Sequence, residues 1–427
     1  MQISWKRNFY ILWVAQAAAL LGFQSVQPFL PYYVQVLGVK DLSEAAVWAG
    51  YMGTASGLAM ALSAPFWGAM ADRFGRRPMV VRAMVGGGLT VLLMAYTRTP
   101  LELVLARFLQ GLLAGSVTAC ITLVSTSTPR AHLGYALGMM QSAMMVGAAV
   151  GMIGGGALID GIGYRDTFLI AGVVVVLAGL SVQIWVREDF QPDRSRGETK
   201  RKSGVIADTR AFLRLKPFRI VLVCLMLTQF AFGVIMPVVP LFLQQLAGEE
   251  DILTLAGVIF SLMGLFGAVS SVVFGRWSEY FGARQTLLGG LASTAVLLVL
   301  QGLSISVLML GVLMVLAGLA TGAIRPVTSS IITRIVAEED RGKAFGIVTS
   351  ATAFGWALGP TVGAYIGATW GFRTVFFFTA AFFSIVAGWA WRAMADVELE
   401  EPARRAWLQT VRKRLVERLE NKRRSSE

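Results

Sequence analysis

The sequence predicts an all-α integral membrane protein, with about twelve transmembrane helices in two pseudo-symmetric six-helix bundles. Three observations carry this expectation. Of the 427 residues, 56% are hydrophobic and 15% charged, with a mean hydropathy of +0.64, whereas soluble domains hold roughly a quarter charged residues. The apolar residues fall in runs long enough to cross a bilayer, not in one-sided or alternating patterns. The chain also repeats itself halfway along.

In chain order the runs of the first half are 9–39, 45–71, 78–97, 101–127, 133–159 and 167–186. Those of the second are 217–247, 252–275, 286–302, 304–333, 344–370 and 372–391. The first run is too long for a signal-peptide core and lacks a small-residue cleavage pattern, so it reads as an uncleaved span. This places an N-terminal bundle at 1–187, a polar cytoplasmic linker at 188–216, a C-terminal bundle at 217–393 and a basic tail at 394–427. In the tail, Trp407, Leu408, Val411, Leu415 and Leu419 share one helical face. That face suits an interfacial helix on anionic lipid, and equally a solvated helix.

A net charge of +13 would suit nucleic acid, but its distribution does not. With the N-terminus inside, about 32 of the 38 Lys and Arg residues fall on one side, leaving Lys40, Arg98, Arg165 and Arg373 on the other. Such asymmetry sets orientation, so both termini are expected in the cytoplasm. Cys120 and Cys224 lie within spans and offer no disulfide framework. The lone His132 reads as a loop residue, and no metal or cofactor is expected.

The repeat has anchors throughout. PFLPYYVQVLG at 28–38 returns as PVVPLFLQQLAG at 237–248, FWGAMADRFGRR at 66–77 as FGRWSEYFGAR at 274–284, and GLLAG at 111–115 as GLATG at 318–322. The offset stays at about 207 to 209 residues. Two parallel six-span repeats imply a transporter with its site between them near the midplane. No Gly-x4-Gly-Lys-Ser/Thr loop occurs, which leaves an ion gradient as the energy source. The spans offer no paired acids and no metal-ligand cluster, and the sequence has no large extramembrane domain, so an enzyme or receptor is not expected.

The stretch GAMADRFGRR at 68–77 falls at the inner end of span two and in the following loop. It resembles the second-to-third-helix motif of the major facilitator superfamily. ARFLQGLLAG at 106–115 resembles the family's fourth-helix Arg motif, and GAAVGMIGGG at 147–156 the fifth-helix glycine motif of its proton-coupled exporters. LGFQSVQPFLP at 21–31 resembles a first-helix signature of the twelve-span drug:proton antiporter branch. The resemblance runs up to the tail. It implies proton-coupled export of drugs or other amphipathic small molecules from a bacterial inner membrane, by a monomer. Export of a sugar or another endogenous metabolite is the alternative. One departure is Met152, where the fifth-helix motif carries Pro.

The physical reading of the charge knot is a latch. A carboxylate at Asp72 can sit against the positive N-terminal end of helix eleven and pair with Arg73, Arg76 or Arg77. Gly68, a turn earlier, would permit close approach, and Gly75 completes the motif. The competing reading is that these arginines only set topology. Gly147, Gly151 and Gly155 recur every fourth residue, as do Gly355, Gly359, Gly363 and Gly367, and are expected to form faces that slide or rock. Arg107, about 10 Å into span four, is either a charge partner or gate, or a fixed pair with Glu102 or the amides of span one. The other residues expected around a substrate cavity are Gln24, Gln27, Tyr32, Thr118, Gln229, Met236 and Arg325. No Asp or Glu lies well inside a span, which favours neutral, zwitterionic or anionic solutes over cations.

Overall fold

The computed structural model describes residues 5–188, 210, 212–248, 252–322, 324–336 and 340–394. Most of the 188–216 linker and all of the tail beyond Met394 lie outside the described residues. Among the described residues, nine helical stretches are long and apolar enough to cross a membrane. One of these, Leu133–Trp185, is broken by a non-helical Gly163 with φ 83° and forms two spans. Leu42–Phe74 and Arg341–Trp370, 33 and 30 residues long, are long enough but less apolar. Both face across the molecule onto each other, where small and hydroxyl residues pack more closely than leucine does. Splitting the one and adding these two gives the twelve spans expected.

In chain order, spans 1 to 4 are Trp5–Val36, Leu42–Phe74, Arg77–Met94 and Pro100–Ser127. Spans 5 and 6 are the two arms of Leu133–Trp185. Spans 7 to 10 are Lys216–Ala247, Leu253–Phe281, Ala283–Gly302 and Val307–Thr333. Spans 11 and 12 are Arg341–Trp370 and Phe372–Ala393. Twelve crossings return the chain to the end where it began. That end is proximal below, and the other distal.

Three spans that read as single runs are interrupted. Span 1 passes from Trp5–Gln24 through a 3-10 turn at Gln27–Phe29 into Leu30–Val36. Span 7 breaks between Lys216–Ile235 and Val238–Ala247, around Pro237. In both, proline removes a backbone donor and crowds the preceding turn. Span 4 breaks at Gly115, φ 117°. The turn between spans 2 and 3 is set by Gly75 and its repeat mate between spans 8 and 9 by Gly282, both with φ 96°. A side chain at either position would be strained, which explains the Phe-Gly frame common to both halves.

Each half is knit by glycine seams. A methyl group added at Gly147, Gly151 or Gly155 would stand 2.3, 2.5 or 2.3 Å from the carbonyl oxygens of Ala17, Leu21 and Ser25 in span 1. In the second half Gly355 and Gly359 press on Met226 and Phe230 of span 7 in the same way. The stripes expected as sliding or rocking faces thus lie inside a half, each pressed against the backbone of a neighbouring span, and not between the halves.

The two halves meet mainly through spans 2 and 11 and spans 5 and 8. A methyl at Gly50 would lie 2.4 Å from Ala364 Cβ, and one at Gly57 2.8 Å from Ala357 Cα. Likewise Gly257 would meet the Met152 carbonyl oxygen at 2.3 Å. Nearer the proximal end, added methyls at Gly68, Gly134, Gly138 and Gly346 would meet nothing within 4 Å.

Candidate functional site: a central cavity with a closed distal gate

A cavity of about 440 Å³ lies between the halves, at the level of the three helix breaks. Of the residues expected around it, Gln24 and Gln27 of span 1, Arg107 of span 4 and Met236 of span 7 do line it. Tyr32 does not: it is buried in the distal contact, where its hydroxyl donates to the Pro240 carbonyl oxygen at 2.6 Å. Thr118 is exposed and off the wall, and Gln229 is half-buried and off it too. The backbone of Arg325 belongs to span 10, but its side chain falls outside the description.

Several wall residues were not anticipated. Met52, Met60, Met152 and Met263 join Met236 to make five methionines, with Phe260 and Trp356 beside them. Unbranched thioethers adapt to cargo of different shapes. The eighteen methionines of the chain were a usable signal, but membrane spans that are apolar all round do not reveal which face turns inward.

Arg107 is the single formally charged residue among the cavity-lining residues described, and only 8% exposed. Its guanidinium donates to Gln110 Oε1, while its Nε has no protein partner among the described residues. The suggested pair with Glu102 is not made. Glu102 instead accepts from the Arg98 backbone N–H at 2.7 Å, while its own N–H donates to the capping Thr99 hydroxyl at 3.3 Å.

The distal end is closed by uncharged hydrogen bonds as well as by glycine packing. Gln35 and Gln244 exchange amide bonds at 2.7 and 3.0 Å. The Thr361 hydroxyl donates to the Thr54 hydroxyl at 2.8 Å, and Ser261 to the Ala149 carbonyl oxygen at 2.6 Å. All four contacts, with Tyr32, join one half to the other.

At the proximal end, Asp72 and Arg73 are exposed. Arg77 donates to the Gln183 carbonyl oxygen, and its repeat mate Arg284 to that of Trp391 at 2.9 Å. These arginines therefore tie spans together within each half. The N–H groups of Arg76 and Arg77 donate to the Glu188 carboxylate at 2.7 to 3.0 Å, which caps span 3. Glu188 was missed because a cap supplied from more than a hundred residues away leaves no local signature.

Arg82 has no charged mate in the second half. Arg82 stacks over the Trp67 ring at 3.8 Å and donates to the Ala114 carbonyl oxygen at 3.4 Å. The residue in register in the second half is Gly289, where a cavity of about 400 Å³ opens beside Phe274 and Trp277.

The model of the major facilitator superfamily matches residues 12–271 and 221–422. The multidrug resistance protein MdtG of Rahnella sp. (strain Y9602) is 32% identical over 393 residues, covering 91% of this chain and 94% of the relative. MdtG of Proteus mirabilis (strain HI4320) is also 32% identical, covering 90% and 96%. In fold, the chain is similar to the nucleoside transporter NupG, with a TM-score of 0.75 over 91% of this chain and 99% of that one at 14% identity. Two six-helix halves around one cavity, the motifs in register and a family match spanning both halves lead to one conclusion. The chain belongs to the major facilitator superfamily and is a secondary transporter, not an enzyme.

Proposed function

We propose that this protein exports drugs or other amphipathic small molecules in exchange for protons, its halves rocking about the central cavity. The observation that carries the reading is the cavity wall: adaptable methionines and aromatics around one buried cation. The identity to MdtG proteins of multidrug resistance supports it. With no carboxylate on the described wall and Arg107 inside it, the favoured cargo is neutral, zwitterionic or anionic. The charge asymmetry of the loops favours both termini in the cytoplasm. On that orientation the distal gate faces outward, and the conformation is inward-open. The protein works as a monomer in the bacterial inner membrane, and the assay is efflux. Expression should lower cellular dye accumulation, and an uncoupler should abolish the effect. Efflux that survives collapse of the proton gradient but stops on ATP depletion would refute the reading.

In this scheme Asp72 is the inner latch, engaged with the start of span 11 when the protein turns outward. The open space at Gly68 suits the inward-open form. Neutralising it removes the charge-to-helix-end attraction. Asp72→Asn should therefore cut efflux about tenfold or more, by starving the outward-open state, with unchanged membrane insertion. Normal efflux by that variant would leave the arginines of this stretch as staples and topology signals only.

A further inference from the structure

Span 8 starts without a cap of its own. Its N-cap position is Ile252, whose side chain can accept no hydrogen bond, so the first N–H groups of this 29-residue helix need a partner from elsewhere. Its counterpart in the first half is provided for locally: Asp41 caps span 2, accepting from the Glu44 N–H at 3.0 Å. For span 8 the acceptor comes from the opposite half. Asp160, at the distal end of span 5, accepts from the Thr254 N–H at 3.0 Å and from the Thr254 hydroxyl, both through Oδ2. The two spans are in close contact there. A methyl at Gly156, one turn before Asp160, would stand 2.4 Å from the Leu253 carbonyl oxygen.

We infer that Asp160 is the latch of the distal gate, holding the inward-open form by capping span 8 across the interface. The inference rests on the alternating-access reading above. An anion at a helix start is stabilised by the helix dipole, and a carboxylate receiving two donors makes charge-assisted bonds. Both interactions end when spans 5 and 8 part. Asp160 is exposed, so water can take over its bonds and the latch is releasable. Arg165, five residues on, is turned over the Tyr96 ring at 5.2 Å. Glu249, Glu250 and Asp251 precede Ile252 in the chain and lie outside the described residues. The proposed inner latch at Asp72 has the same build at the opposite end. In each case a carboxylate of the first half addresses a helix start in the second, so the two should pull the conformational equilibrium in opposite directions.

The test is the rate at which a membrane-impermeant maleimide, added outside intact cells, labels Met236→Cys in the cavity of the full chain. Cys120 and Cys224, both buried, are replaced by alanine. Outside access to the cavity requires an open distal gate, so the rate follows the outward-open fraction. Asp160→Asn should label about fivefold faster than the parent. Asp160→Glu, which keeps the charge, should stay within about twofold of it. Adding Asp72→Asn to Asp160→Asn should bring the rate back toward the parent, because opposed contributions at distant sites add. Equal labelling of Asp160→Asn and parent, at equal expression and thermal stability, would overturn the inference. A double variant that labels as fast as Asp160→Asn alone would refute the inner latch and uphold the distal one. Labelling needs neither cargo nor proton gradient, so a negative efflux assay would leave this test intact.

Discussion

Arg107→Met is expected to reduce efflux of anionic amphiphiles by about tenfold or more, to reduce efflux of neutral ones by less than about threefold, and to raise thermal stability. The guanidinium is buried in span 4 and its hydrogen bond goes to the neutral Gln110, not to a carboxylate. A buried charge without a counter-ion costs several kcal/mol, approximately. On the proposed function, an anionic cargo completes the pair and offsets that cost. At 4 Å and an effective dielectric of about 20, such a pair is attractive by about 4 kcal/mol before desolvation. Methionine fills a similar volume and removes the desolvation cost, so the purified variant should melt higher by a few degrees, roughly 1 kcal/mol. The checks are efflux of matched anionic and neutral dyes and a melting curve in detergent. Equal loss for both dyes with a lowered melting temperature would make Arg107 a structural residue.

Gly57→Leu is expected to abolish transport while leaving the protein folded and inserted, locked with its distal gate open. The position faces the other half, where its Cβ would meet Ala357 backbone at 2.8 Å. Backbone cannot move aside as a flexible side chain can, and leucine adds three further carbons to that clash. Packing within the first half does not use this face, so that half keeps its seams. Gly147→Leu is the control. It would collide with the Ala17 carbonyl oxygen inside one half, at 2.3 Å already for a methyl, and should lower expression and stability. Outside-accessible labelling at Met236→Cys would rise in the first variant. Transport by Gly57→Leu at half the parental rate or better would mean that the close contact of spans 2 and 11 is not part of the cycle.

The contrast between these two glycines marks the limit of what the sequence discloses. Spacing of four residues identifies a smooth helical face, and it did so at both 147–155 and 355–363. Whether such a face meets its own half or the other depends on helix order in space, which no local pattern encodes. The same holds for the cavity. Gln24, Gln27, Arg107 and Met236 stood out because polarity or an adjacent proline is unusual in a span. Met52 and Trp356 did not, because an apolar residue on an apolar helix carries no directional signal. Hydropathy and repetition sufficed for the two-bundle architecture, since the bilayer requires every span to satisfy its own backbone. Caps supplied across the fold, by Glu188 to span 3 and by Asp160 to span 8, follow no spacing rule and emerged only with the tertiary arrangement.

Gln35 and Gln244 lie 209 residues apart, which is the repeat interval itself, so each is the other's counterpart and the pseudo-twofold axis passes through their bond. A contact of this kind is isologous, of the sort that joins identical subunits in a homodimer. A single six-helix ancestor that paired with its own copy would have presented one glutamine to its twin. Gene fusion would then have kept the handshake while freeing the two partners to diverge. Because the side-chain amide offers both a donor and an acceptor, it is self-complementary. A lysine or glutamate there would have faced its own charge, and so could not have founded the pair.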